Sequence, residues 1–129
     1  MNQTAVNAGD LAARIFIAAL FLIAGIGKLG SGYAGTQGYM EAMGVPGVLL
    51  PLVIALEIGG AVLVIAGYRT RITALALAAF TVLSALLFHL DFSEQMQQIM
   101  FLKNFAIAGG FLFLAIKGAG AWSIDARRS

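Results

Sequence analysis

The chain has no cysteine. Disulfides, thiolate metal sites, iron–sulfur clusters and thiol redox chemistry therefore lie outside its own means. It has one histidine, His89, which excludes a haem held between two histidines of this chain. Charge is also scarce: 11% of the 129 residues are Asp, Glu, Lys or Arg, against 60% hydrophobic. Soluble domains carry about 25% charged and roughly 45–50% apolar residues, so this chain cannot cover itself with polar surface. The same balance excludes disorder. A dispersed net charge of +2 excludes a nucleic-acid partner. No phosphate-loop, dinucleotide or nucleophile motif is present, so no complete catalytic motif identifies an enzyme. A structural metal site has little to draw on: His89, Asp91 and Glu94 are one imidazole and two loop acids, a weak ligand set.

What the chain does have is apolar runs long enough to cross a bilayer. A hydrocarbon core near 30 Å takes about 20 helical residues. Residues 48–68 and 72–90 meet this directly. Ile15–Ile26 is too short alone and needs extension to 11–30, which takes in Arg14 and Lys28. Phe105–Ile116 likewise needs extension to 99–117, which draws Lys103 and Asn104 into the membrane. The expectation is an all-α membrane protein, one domain over residues 1–129, with four transmembrane helices at 11–30, 48–68, 72–90 and 99–117. The first segment has no basic start before Arg14 and no small-residue cleavage motif, so it reads as a retained span. Ser31–Gly47 is a Gly-rich connection with a short amphipathic turn near Thr36–Met43, and Tyr33 and Tyr39 belong at the headgroups.

Basic residues set the orientation. The side shared by both termini and the second loop holds Arg14, Arg69, Arg71, Lys117, Arg127 and Arg128; the other holds Lys28 and Lys103. Both termini are therefore expected in the cytoplasm, with the chain in a bacterial inner membrane.

The charges inside the spans locate the interior. Glu57 stands mid-span, where a carboxylate costs on the order of 3 kcal/mol on insertion scales and so faces a counter-charge or cavity. Helical spacing puts residues 14, 18, 21, 25 and 28 on one stripe. It does the same for Glu57, Gly60, Val64 and Gly67, for Ala78, Val82, Ala85 and His89, and for Lys103, Ile107, Gly110, Leu114 and Lys117. Packing these small-residue faces together gives a four-helix bundle with polar groups inside. Lys28, His89, Lys103 and Asn104 then line a pocket above Glu57 in the half away from the termini. These five are the candidate ligand-binding residues. Arg14, near the other end, is a candidate structural charge. Two plainer readings compete: a purely structural ion pair of Glu57 with Lys28 or Lys103, and snorkelling of Arg14 and Lys28 to the headgroups.

Several of these residues recur in a known order. Arg14 opens the first span and Gly25-x-x-Lys28 closes it. Gly44-Val45-Pro46 precedes the second, which carries Glu57-x-x-Gly60 and ends at Gly67. Phe101-Leu102-Lys103-Asn104 then leads to Gly109-Gly110. In this the chain resembles the DoxX family of small four-helix bacterial membrane proteins, over about Leu11 to Ile116. The family takes its name from a subunit of a thiosulfate:quinone oxidoreductase. The resemblance implies a membrane subunit that binds a quinone-like amphiphile and serves a redox-protein partner. The residues themselves leave two alternatives open. One is a non-enzymatic transporter or binder of a small anion or lipid, the other a structural assembly subunit or homo-oligomer.

Overall fold

A computed structural model describes residues 1–128. It contains six helices: α1 Gln3–Gly27, α2 Gly32–Ala42, α3 Leu50–Ala66, α4 Thr70–Phe88, α5 Gln95–Lys117 and α6 Ile124–Arg128, with a 3₁₀ turn, Gly47–Leu49, leading into α3. No strand occurs among the described residues. α1, α4, α5 and α3 together with its leading turn (Gly47–Ala66) are each long and apolar enough to cross a membrane. The protein is an all-α membrane protein, a four-transmembrane-helix bundle.

Helix boundaries follow local chemistry as well as bilayer thickness. α1 begins well before the apolar run because Asn2 caps it, its side chain accepting from Ala5 N at 2.7 Å. It ends at Gly27, so Lys28 is its C-cap and not an interior residue. α5 starts at Gln95, one turn earlier than span length alone requires. The Gly-rich connection is more ordered than its composition suggests: it forms α2, which buries Met40 against Leu50 and Ile54 of α3.

α1 packs against α3 and α4 against α5, and the tight turn at Gly67–Arg69 joins the two pairs. The common core is made of small and aromatic side chains, among them Ala18, Ala61, Ala74, Ala78 and Ala108 around Phe21 and Phe111. Lipid tails are as apolar as leucine, so burial from water does not drive this packing; close van der Waals approach does, and small residues permit it. At Gly25 a Cβ would stand 2.6 Å from Ile58 Cγ1, so a larger residue would push α1 off α3. The outer surface is the reverse of a soluble protein's: Phe16, Ile23, Leu52, Leu102, Phe113 and Ile116 are all strongly exposed.

The segment after α5 folds back beneath the bundle. Gly118 takes φ +83 and starts the turn. Asp125 N then donates to Gly67 O at 2.8 Å. The Asp125 carboxylate accepts from Arg69 N at 2.7 Å and Thr70 N at 2.9 Å, satisfying the open amides that begin α4. Partial burial pushes the Asp125 carboxyl up, but the hydrogen bonds from Thr70 and Arg69, helped by Arg128, outweigh it and hold the group below its usual value. Arg69 is the one non-glycine residue in the left-handed region among the described residues, at φ 50, and Asp125 grips its amide.

Candidate functional site

Two buried arrangements account for most of the charge inside the bundle. The first is structural. Arg14 is 1% exposed. Its guanidinium donates to Val64 O at 3.1 Å, to Ile65 O at 2.9 Å and to Trp122 O. It therefore neutralises the carbonyl end of α3, where the helix dipole is negative, and ties that end to the returning segment. Gly67 makes room for it: a Cβ there would collide with Arg14 Nη1 and Ser123 Cβ. Snorkelling of Arg14 to the headgroups is thereby corrected, since the side chain points inward. Arg71 does the same at the end of α5, donating to the carbonyls of Ala115, Ile116 and Lys117. The sequence carries no signal for Arg71, because its acceptors are backbone atoms more than forty residues away. A smaller cavity of about 300 Å³ lies beside Arg14, between α1 and α5, with Asp10 and Lys117 in its wall.

The second arrangement lies in the half of the bundle away from the termini. A cavity of about 490 Å³ opens there among α1, α2, α3, α4 and α5. Phe21 and Phe80 in its wall meet edge-to-face at 6.4 Å, and Phe21 also meets the core residue Phe111 edge-to-face at 5.4 Å. Its roof is α2, where Tyr39 stacks on Phe88 at 5.4 Å. Most of the wall is Leu, Val, Ile, Phe and Met, interrupted by a few polar groups.

The chief polar group is an ion pair. Lys28 Nζ stands 2.8 Å from Glu57 Oε1, with the lysine side chain 23% exposed and the glutamate 6%. It is the one pair at ion-pair distance among the described residues. Its location follows from the helices. Lys28 caps α1 and also reaches back to Ala24 O at 3.4 Å, while Glu57 sits mid-α3 where Gly25 lets the two helices touch. No other hydrogen bond reaches Glu57 among the described residues. The carboxylate is thus balanced by one cation that itself faces the cavity.

His89 and Asn104 complete the polar wall. His89 follows α4 and its Nδ1 is 3.0 Å from Gln97 Oε1, which leaves the other ring nitrogen unassigned. Asn104 donates from Nδ2 to Thr81 O at 3.2 Å. Thr36, Thr81 and Ser84 also border the space, and sequence reasoning did not single them out. Asp91 turns away into its own loop, accepting from Ser93 N at 3.2 Å.

Of the five candidate ligand-binding residues, four come together: Lys28, Glu57, His89 and Asn104. Lys103 does not. It is exposed on the outer face of α5, outside the cavity. The cause is a register difference of one residue. The inward stripe of α5 is Ala108, Phe111 and Ala115, with Asn104 in line above them, whereas the expected stripe ran through Lys103, Ile107, Gly110 and Leu114. One residue is 100° of helix rotation, which carries the lysine from pocket to lipid. The inward stripes expected for α1 and α3 are buried as expected.

Chemically, the cavity offers an ammonium, an amide with both donor and acceptor capacity, an imidazole and small hydroxyls, all within an apolar shell. That combination suits an amphiphile with carbonyl, phenolic or anionic oxygens at its head.

Comparison with known proteins places this architecture. The DoxX family profile matches residues 9–90. The chain is 58% identical over 119 residues to the inner membrane protein YqjF of Escherichia coli K12, covering 92% of this chain and 91% of that one. It is 38% identical over 124 residues to the inner membrane protein YphA of the same organism, covering 91% and 88%. No solved structure matches the chain significantly.

Proposed function

The chain belongs to the DoxX family, and from that premise we propose that it is an integral protein of a bacterial cytoplasmic membrane that binds a quinone-like amphiphile in its large cavity and serves a redox-protein partner. The observation that carries the reading is the composition of that cavity. About 490 Å³ falls within the ordinary range for small-molecule sites, and polar groups converge on one region of an otherwise apolar wall. Lys28 and Asn104 donate to the head's oxygens. The apolar wall from Leu20 to Leu87 holds the chain. Glu57 orients Lys28 at the cavity wall, and His89, which borders the same cavity, exchanges a proton with a bound hydroxyl or carbonyl. The chain's own side chains supply no redox centre, so electrons pass between the bound quinone and the partner. Both termini face the cytoplasm in this reading, because Arg69, Arg71, Lys117, Arg127 and Arg128 gather at the end that carries them. The membrane assignment is supported by two relatives named as inner membrane proteins.

The test is equilibrium binding of a tailed benzoquinone to the protein in lipid nanodiscs. Saturable binding is expected, weakened on the order of tenfold in Lys28→Ala and in Asn104→Ala, one donor being lost in each. Lys103→Ala and Arg127→Ala, both outside the cavity, should bind as the parent does. Absence of saturable binding, or equal loss in all four variants, overturns the assignment.

A further inference from the structure

The wall of the large cavity is not equally thick all round. Near the α3–α4 turn the two helices are in contact: a Cβ at Gly60 would stand 3.0 Å from Leu77 Cδ2, and Leu77 is fully buried. Farther from the turn the seam changes character. Leu49 and Leu87 stand equally far along the hairpin from Tyr68, as do Leu52 and Ser84, and all four border the cavity, so they mark matching heights where α3 and α4 meet it. Leu52 is 67% exposed and Leu83 53%, yet both border the cavity. A side chain that borders the interior and the outer surface together is the whole thickness of the wall. On the opposite seam, between α1 and α5, Leu20 is exposed but Ala24, Met100 and Ile107 are partly buried.

The end away from the termini is closed differently. α2 lies across it, pinned by Met40 against Leu50 and Ile54, by the Tyr39–Phe88 stack and by Gln37 Nε2 donating to Gly47 O at 3.3 Å. Lifting α2 would break those contacts and turn an apolar cluster toward water. Parting the leucines of the α3–α4 seam exchanges leucine contacts for equally apolar lipid contacts, so it carries no such cost. Leucine rotamer changes are also fast on the scale of binding.

We propose that the cavity is loaded from the bilayer through a lateral portal between α3 and α4, with Leu52 and Leu83 as its lips. Its occupant is then a lipid-soluble molecule whose hydrocarbon tail remains in the seam while its oxygen-bearing head reaches the Lys28–Glu57 pair. This rests on the quinone-like reading above and adds the route and the requirement for a tail. A short, water-soluble head group is a poor occupant, because α2 closes the aqueous side.

The absence of native cysteine makes the route directly testable. Leu52→Cys/Leu83→Cys would be bridged with a bifunctional thiol reagent in nanodiscs, and Ile17→Cys/Phe113→Cys bridged in parallel to tie α1 to α5 outside the cavity. The probe is a decyl-tailed benzoquinone, with the same head lacking its tail as comparator. Bridging the first pair should slow association on the order of tenfold or more, and bridging the second should not. The tailless head should bind at least about tenfold more weakly. Unchanged association after the first bridge, or equal affinity for the two probes, overturns the portal while leaving the cavity's function standing. No saturable binding to either protein before bridging overturns the functional reading, and the portal with it.

Discussion

The Lys28–Glu57 pair can be weighed by a double-mutant cycle. The atoms are 2.8 Å apart, which at an effective dielectric near 20 is a gross attraction of about 6 kcal/mol. Desolvation of the glutamate, 6% exposed, offsets much of it, and the lysine at 23% retains some solvation. The net worth of the intact pair is therefore small, whereas removing one member strands the other. Such losses run at about 3–5 kcal/mol for fully buried pairs, and the lysine's exposure lowers the expected figure to about 2–4 kcal/mol. Lys28→Met should cost more than Glu57→Met, because it leaves the more buried charge alone. Lys28→Met/Glu57→Met should cost no more than the worse single change, a coupling of about 2 kcal/mol. The assay is denaturant unfolding in detergent micelles followed by circular dichroism. Single costs that add within about 0.5 kcal/mol would show that the two side chains do not stabilise each other and would refute the reasoning.

Three further outcomes concern Arg14, the Asp125 cap and the orientation. Arg14→Gln should destabilise the fold by about 2–4 kcal/mol in the same assay, since charged hydrogen bonds to three carbonyls are lost or weakened, while Arg127→Gln should change nothing measurable. Asp125, whose folded carboxyl is held below its unfolded value near 3.8, contributes stability that is fully present above that value and is lost as pH falls through the lowered folded value. The melting-temperature gap between parent and Asp125→Asn should therefore be constant near neutrality and close below about pH 4. A reporter active only in the periplasm should be active when inserted in the Asp91–Gln98 loop and silent when fused after Arg128, and the reverse would overturn the orientation.

The four spans and the inward stripes of α1 and α3 were legible in the sequence because bilayer thickness and helical periodicity constrain them strongly. Glu57 and Lys28 were legible for the same reason: a charge forced below the interface must find a counter-charge. Choosing between Lys28 and Lys103 as that counter-charge was beyond periodicity. α5 carries apolar residues on all sides, so its composition cannot distinguish a stripe through Lys103 from one through Asn104. Only Phe111 and Ala108 meeting α1 and α4 fix the rotation. Asp125 and Trp122 were invisible because their partners, the Arg69 and Thr70 amides and the Arg14 guanidinium, lie more than fifty residues away and are met only after the turn at Gly118.

The grip of Arg14 on Trp122 has a consequence for how the protein is made. The two residues are 108 positions apart, so the first span enters the bilayer with its arginine still lacking one of its acceptors. Two others, the carbonyls of Val64 and Ile65, emerge with the second span. Insertion thus proceeds with an incompletely satisfied cation in the nascent bundle until the segment beyond α5 has been translated. That segment supplies both the last acceptor of Arg14 and the carboxylate that meets the Arg69 and Thr70 amides. Chains truncated before Gly118 would keep all four spans but leave those groups at the α3–α4 end unmet.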